Sequence, residues 1–148
     1  MSEGWLLDTN VVSELVKGAR ADRAVLDWID GADEDRLYLS VITIGEMAKG
    51  IGLAEARGRD MSLQRQFLFR LLPDRFGSRI LAFDTAAALV WGQLLQMLGG
   101  NREEERRLAL DGQIAATARN ASLGVCTRNV RDFERLGVSE LVNPFSTA

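Results

Sequence analysis

Short apolar runs alternate with helical segments along this chain, and that alternation most constrains the fold. The apolar run Trp5–Leu7 stops at Asp8, and apolar residues at helical spacing follow it. A β-type run followed by a helical segment recurs from Leu37, from Arg79 and from Gly124. Strands separated by helices imply βαβ units. The chain is therefore predicted to be α/β, with three α/β/α layers and a mainly parallel central sheet.

Several local signals predict where these elements begin and end. The second strand is predicted over residues 37–42, and Thr43-Ile44-Gly45-Glu46 has the form of a capping box that opens the next helix. A later helix, over residues 63–72, is expected to stop at Pro73. Asp84 is predicted to cap the helix that follows the third strand.

Length and composition indicate one soluble domain. A chain of 148 residues is large enough to bury ~70% of its unfolded surface around a single core, and no linker or repeat divides residues 1–148. No apolar run approaches the ~20 residues needed to span a bilayer. The single Cys126 cannot form an intramolecular disulfide, which favours a reducing compartment and a role in core packing. We therefore expect a cytoplasmic protein with no membrane association.

The chain contains no histidine. Mechanisms that need an imidazole, including Ser-His-Asp triads, Cys-His pairs and His-ligated zinc, are therefore excluded. Any acid or base chemistry must come from carboxylates.

Several polar side chains follow predicted strands, where parallel sheets usually place their sites. Asp8 follows the first strand, Glu46 lies one helical turn past the second, and Asp111 stands in an otherwise apolar context. Asn129 and Asp132 follow the fourth strand and are weaker candidates for a further oxygen ligand. Each has a structural alternative, because the aspartates can cap helices, Asn129 can form a turn, and Glu46 can complete the capping box.

Convergence of these acids would require a cation. Two carboxylates ~5 Å apart repel by about 3 kcal/mol at an effective dielectric of ~20, so three mutual pairs cost about 10 kcal/mol. That cost rivals the whole stability of a domain, roughly 5–15 kcal/mol. Oxygen ligands without His or Cys favour Mg²⁺, with Mn²⁺ as a plausible substitute. Mg²⁺ accepts phosphate oxygens and orients water, so convergence predicts hydrolysis of a phosphodiester.

The overall charge opposes a nucleic-acid substrate, because the net charge is −3 and the pI is about 5.1. A bound metal and a local rim of arginines would offset it. The candidates for that rim, each of which can equally be a solvated surface charge, are Arg102, Arg106, Arg107, Arg128 and Arg131.

The order and spacing of five motifs resemble PIN-domain ribonucleases of the VapC toxin type, nearest the FitB-like branch. The resemblance covers essentially the whole chain. The motifs are Leu6-Leu7-Asp8-Thr9-Asn10-Val11-Val12-Ser13-Glu14, Thr43-Ile44-Gly45-Glu46, Asp111-Gly112-Gln113-Ile114-Ala115-Ala116-Thr117-Ala118, Thr127-Arg128-Asn129-Val130-Arg131-Asp132-Phe133 and Asn143-Pro144-Phe145.

The resemblance implies a PIN-like domain and an Mg²⁺-dependent endoribonuclease that is the toxin of a toxin–antitoxin pair. It implies that Asp8 and Asp111 are the principal metal ligands and that Glu46 binds the metal or its water. The fourth acidic position of the family falls at Asn129, which would have a weak ligand or positioning role, with Asp132 as a possible substitute.

The resemblance also implies partners. Proteins of this type commonly form homodimers and are held inactive, in a higher assembly, by a small DNA-binding antitoxin whose tail enters the acidic groove. The apolar residues that could supply a surface for such a partner are expected to lie in the core instead; they are Phe67, Phe69, Leu71 and Trp91.

Two other functions compete with this prediction. Phosphatases of the haloacid-dehalogenase type and receiver domains also place an aspartate after a first parallel strand, but the dehalogenase pattern wants a second aspartate at the position of Asn10. A PIN-like module that binds RNA or a partner without cutting is the alternative outside catalysis. Mg²⁺-dependent cleavage products would separate the nuclease from the binding module.

Overall fold

A five-stranded parallel sheet runs through the centre of the molecule, in the order β3-β2-β1-β4-β5. The computed structural model describes residues 3–146. The sheet confirms the predicted α/β class with a parallel core. Its strands are β1 Trp5–Leu7, β2 Leu37–Ser40, β3 Ile80–Leu81, β4 Gly124–Cys126 and β5 Leu141–Val142.

Helices connect successive strands, as parallel pairing requires. Short 3₁₀ turns at Ser13–Val16, Gly18–Arg20, Glu34–Arg36 and Gly77–Arg79 join several of them, and a π-helical turn at Phe67–Leu71 links α4 to α5. The α-helices are α1 Thr9–Val12, α2 Arg23–Gly31, α3 Val41–Ala56, α4 Ser62–Gln66, α5 Leu72–Phe76, α6 Thr85–Gln96, α7 Arg102–Arg107, α8 Ala109–Asn120 and α9 Val130–Arg135.

The two faces of the sheet bury separate apolar clusters. Side chains alternate along a strand, so Leu6 and Leu7 of β1 point to opposite faces. Leu7 packs with residues of α1, α2 and α5, whereas Leu6 packs with residues of α6, α8 and α9. Helices therefore cover both faces, which confirms the three-layer arrangement. Cys126 is fully buried beside Leu7, in agreement with its predicted packing role.

The predicted capping box at the start of α3 is wrong. β2 ends at Ser40, whose hydroxyl accepts a hydrogen bond from the N–H of Ile42 at 3.0 Å, so the helix begins at Val41. Thr43 and Glu46 consequently lie inside the helix, one turn apart on the same face. A serine at the strand end supplies the cap three residues before the predicted cap Thr43, and this frees the Glu46 side chain for other contacts.

The predicted helix stop at Pro73 is also wrong. Pro73 lies in the first turn of α5, where its missing N–H needs no partner, and the π-helical turn before it continues the helical path of the chain.

The expectation of a buried Phe69 and Leu71 is wrong as well, because they are 63% and 53% exposed. Phe67 is buried, and Trp91 is partly buried against the second apolar cluster. Within residues 3–146, no helix combines the length and the hydrophobicity of a membrane-spanning segment.

Gly4 lies where β1 begins, and backbone packed against it leaves no room for a side chain. A Cβ there would be 2.3 Å from the carbonyl oxygen of Arg36. Gly4→Ala is therefore expected to destabilise the protein by about 1–3 kcal/mol, because strands β1 and β2 must shift apart. Gly52, in the middle of α3, has open space around it.

Gly52→Ala is the matched control, and it should stabilise the protein by about 0.5–1 kcal/mol through the lower backbone entropy of alanine. Urea denaturation of both variants measures the difference. Equal midpoints for the two variants would contradict the close approach at Gly4.

Candidate active site

Parallel pairing of β1 with β4 places Asp8 beside Thr127 at the carboxyl ends of the two strands. The N–H of Asp8 donates to the carbonyl of Cys126 at 2.9 Å, which extends the strand register by one step. Asp8 is only 3% exposed. The Thr127 hydroxyl donates to Oδ2 of Asp8 at 2.7 Å. A carboxylate buried at the end of a strand is thus fixed by a neighbouring strand.

Two more hydrogen bonds fix Asp8. Its Oδ1 accepts from the N–H of Thr9 at 2.8 Å, which caps α1, and its Oδ2 also accepts from the amide of Asn10 at 3.3 Å. Burial raises the pKa of Asp8, and the negative charge of Glu46 raises it further, while the bonds from Thr127 and Thr9 act in the opposite direction. Asp8 therefore caps α1 and is at the same time one of the acids predicted to form the site.

Thr9 connects Asp8 to Glu46. Its hydroxyl donates to Oε1 of Glu46 at 2.8 Å and lies 3.0 Å from the hydroxyl of Thr43. Because Thr43 and Glu46 share a face of α3, that helix presents both groups to the end of β1. The structure thus brings together Asp8 and Glu46, which are far apart in the sequence.

Asp111 lies in the first turn of α8 and is not its N-cap. The helix begins at Ala109, after Leu108, and no side chain caps it. Burial raises the pKa of Asp111 to about 7, with further contributions from the negative charges of Asp8, Asp132 and Glu46 that the positive charge of Arg107 partly offsets. Asp111 is therefore close enough to the other acids to interact with their charges.

Gly112 allows the helix that carries Asp111 to pack closely on α6. A Cβ at Gly112 would lie 3.2 Å from Nε1 of Trp91, so the indole occupies the space that a side chain would take. That nitrogen is buried and has no hydrogen-bond partner among the residues the structure describes. The small residue after Asp111 is thus explained by packing.

Asn129 and Asp132 have different surroundings from the three acids. The N–H of Asn129 donates to the Thr127 hydroxyl at 2.9 Å, while its side chain is exposed and does not cap α9. Asp132 pairs with Arg107, with Oδ1 and Nη1 3.0 Å apart. The ligand role of Asn129 stays a prediction, and Asp132 already has a cationic partner. Thr127 was not among the predicted site residues. Its only signal in the sequence is a hydroxyl side chain at the end of a predicted strand.

Comparison with known proteins identifies the family. A profile of the PIN domain matches residues 5–138. The VapC ribonuclease Y4jK of Sinorhizobium fredii is 38% identical over 97% of this chain and 99% of its own. The toxin FitB of Neisseria gonorrhoeae is 34% identical over 95% and 97% of the two chains. A crystal structure of FitAcB from the same organism superposes with a TM-score of 0.76 and 31% identity, over 95% and 97% of the chains.

The chain belongs to the PIN domain family. The match to a PIN profile and to a solved structure along almost the whole chain confirms the predicted PIN-like fold and the resemblance read from the five motifs.

The donor set of this PIN domain fits a hard divalent cation. All candidate ligands are oxygens. Burial is the main cause of the raised pKa values of Asp8 and Asp111, and the charges of neighbouring acids add to it, so a cation would relieve part of that repulsion. Across residues 3–146, however, no three acidic or thiol side chains surround one point closely enough to enclose an ion by themselves. The described side chains therefore do not form a closed cage, and an Mg²⁺ ion would have to be bound through one or two carboxylates and otherwise by water.

The raised pKa of Asp111 predicts how the metal-free protein responds to pH. Between about pH 4 and pH 7 the folded PIN domain holds a proton on Asp111 that the unfolded chain releases, so stability should fall as pH rises through this window. Asp111→Asn should therefore be more stable than wild type at pH 8 and nearly equal to it at pH 4.

Thermal unfolding in the presence of a chelator measures this difference. Asp30→Asn, on the exposed face of α2, is the matched control and should show no such pH dependence. A stability difference for Asp111→Asn that stays constant from pH 4 to pH 8 would contradict the charge coupling at the site.

Proposed function

We propose that this PIN domain is an Mg²⁺-dependent endoribonuclease that acts in the cytoplasm as the toxin of a toxin–antitoxin pair. The observation that supports this most is the cluster formed by Asp8, Glu46 and Asp111 at the carboxyl ends of the strands. Asp8 accepts a hydrogen bond from Thr127, and Glu46 accepts one from Thr9. Asp111 interacts with the charges of both acids.

In the proposed reaction, Asp8 and Asp111 would hold the metal and Glu46 would bind the metal or its water. Mg²⁺, when bound, polarises a phosphate oxygen and makes water a better nucleophile. The hydrogen bonds from Thr127 and Thr9 favour the ionised form of Asp8 and keep its orientation. The attacking water gives up a proton, which a carboxylate that does not ligate the metal directly would accept. Because the chain has no histidine, a carboxylate must perform this step.

The names of the relatives support RNA as the substrate. One is a VapC ribonuclease, and a VapC of Shigella flexneri, 27% identical over 90% of this chain, is a tRNA(fMet)-specific endonuclease. The phosphatase alternative finds less support, because Asn10 occupies the position of the second aspartate and donates to Oδ2 of Asp8. The side chain of Asn10 is an amide, which has no acidic proton to transfer and cannot act there as a second acid.

An antitoxin partner is proposed from the solved relatives. The structure of FitAcB and a toxin–antitoxin complex from Klebsiella pneumoniae, the latter with a TM-score of 0.65 and 25% identity, both cover at least 95% of this chain. Leu63, Phe69 and Leu71 are more than half exposed in the segment from α4 to the π-helical turn and offer apolar surface to a partner. We propose that the protein forms a homodimer and binds a small antitoxin in a larger assembly.

A cleavage assay tests the nuclease. Wild-type protein, purified free of any partner, is incubated with tRNA, ribosomal RNA fragments and mRNA, with Mg²⁺ or with chelator. We expect Mg²⁺-dependent products, and a loss of at least about 100-fold in rate for Asp8→Asn and Asp111→Asn, because each removes a charge that holds the metal. Asp74→Asn, an exposed aspartate in α5, is the control and should cut at the wild-type rate.

Two results would overturn the proposal. Wild-type rates in Asp8→Asn would exclude the carboxylate site, and cleavage that is equal in chelator would exclude the metal. RNA that is retained in a gel shift without any Mg²⁺-dependent product would favour the non-cleaving binding module.

Expression in a bacterial host tests the toxin. Induction of the wild-type chain should arrest growth, and Asp111→Asn, expressed at the same level, should not. Coexpression of a small protein from the adjoining reading frame should restore growth if that protein is the antitoxin. Growth arrest by Asp111→Asn that equals the wild-type effect would contradict toxicity through this site.

A further inference from the structure

We propose that Arg128, stacked on Phe145, binds a phosphate of the RNA substrate next to the acidic site. This inference rests on the proposed function and names the group that positions the substrate there. It starts from a difference among the arginines. Arg75, Arg79, Arg107 and Arg135 form ion pairs with carboxylates, whereas Arg128 contacts an aromatic ring.

The backbone places Arg128 at the acidic site. It follows Thr127, whose hydroxyl bonds Asp8, and consecutive Cα atoms are only ~3.8 Å apart. The N–H of Arg128 donates to Oδ1 of Asn10 at 3.3 Å, and the amide of Asn10 donates to Asp8. Arg128 is therefore connected to the carboxylate of Asp8 in two ways, through its neighbour Thr127 and through the side chain of Asn10.

The guanidinium of Arg128 lies over the ring of Phe145, with its central carbon 3.8 Å from the ring centroid. At this distance the two planes can stack, which leaves the edge of the guanidinium, with its N–H donors, free. Arg128 is exposed, and no carboxylate within residues 3–146 forms an ion pair with it. Its charge is thus oriented by the ring and is not neutralised.

Phe145 is a fixed platform. It is 7% exposed, and its N–H donates to Oδ1 of Asn143 at 3.0 Å. The next residue, Ser146, donates through its hydroxyl to Asp22 at 2.8 Å and through its N–H to the same carboxylate at 3.2 Å. β5 pairs with β4, so Phe145 leaves the sheet at the end where Asp8 lies. The carboxyl-terminal segment therefore holds the Arg128 side chain in place.

The chemistry at this position matches a phosphodiester. The fork of an arginine binds two phosphate oxygens at once, and a pre-oriented guanidinium loses less entropy on binding. The three acids repel an approaching RNA strand, so a cation at their edge is needed for the substrate to enter. The other candidate arginines suit this role less. Arg107 is paired with Asp132, and no contact of the described residues orients the guanidinium of Arg131.

Kinetics with a fluorescent single-stranded RNA that contains a cleaved site test the inference. Arg128→Ala should raise KM about tenfold and change kcat less than about threefold, because it removes a charge-assisted bidentate contact. Arg128→Lys keeps the charge without the fork, and Phe145→Leu keeps the arginine without the ring, so both should have intermediate KM values. Arg119→Ala is the matched control. Arg119 is exposed at the end of α8 opposite Asp111, so this variant should cut RNA like wild type.

Binding of the same RNA in the Asp111→Asn background, across a range of salt concentrations, gives a readout that does not need cleavage. Adding Arg128→Ala should lower the slope of log K against log salt by about 0.7, the contribution of one phosphate contact to a single strand. Adding Arg119→Ala should leave the slope unchanged.

An unchanged KM and slope in Arg128→Ala would overturn the inference. A loss of kcat and of melting temperature with constant KM would overturn it too, because it would make Arg128 a structural support of the carboxyl-terminal segment. Failure of the proposed function is distinct from both, since wild type would then cut no RNA. The salt slope, measured with a single-stranded RNA that the protein binds, would still decide whether Arg128 contacts a phosphate.

Discussion

The parallel pairing of β1 with β4 is the contact on which the rest of the site depends. It brings the residue after each strand to the same level, so the Thr127 hydroxyl reaches the buried carboxylate of Asp8. Thr9 then extends the network to Glu46 on α3. Helix α8 adds Asp111 from the opposite face of the sheet, against which the apolar residues of α8 are buried. The two helical layers thus contribute acids to one edge.

Concentrating these acids opposes stability. Burial and mutual repulsion raise the pKa of Asp8 and of Asp111, so both carboxylates are easier to protonate than free ones. The fold limits the cost through hydrogen bonds to Asp8 and through the positive charge of Arg107 near Asp111. Acids arranged in this way are stabilised by protons, and a bound cation would stabilise them too, which is the property on which the proposed metal-dependent nuclease relies.

The sequence predicted the sheet class and the strand ends that carry Asp8, because short apolar runs and polar stops depend only on local pattern. It did not predict the start of α3, since Ser40 and Thr43 are both acceptable caps and only packing decides between them. The exposure of Phe69 was missed for a similar reason. A π-helical turn shifts the helical phase, and composition alone does not show which apolar side chains then face water.

Side-chain partners were the least predictable part of the site. The pairing of Asp132 with Arg107 joins α9 to α7, and the bond from Thr127 to Asp8 spans most of the chain. Such contacts depend on the tertiary structure and cannot be predicted from the spacing of residues in the sequence. The stack of Arg128 on Phe145 likewise depends on the pairing of β5 with β4, because Phe145 follows β5 and Arg128 follows β4.

The most direct test of the acidic site is titration calorimetry of Mg²⁺ into the purified protein, at pH 7 and pH 9, in buffers of different ionisation enthalpy. With a pKa of about 7, Asp111 is about half protonated at pH 7, so binding should release about half a proton there and almost none from this group at pH 9. Asp8→Asn should abolish the binding. No detectable Mg²⁺ binding, or binding that releases no protons at pH 7 and persists in Asp8→Asn, would contradict a metal site made of these carboxylates.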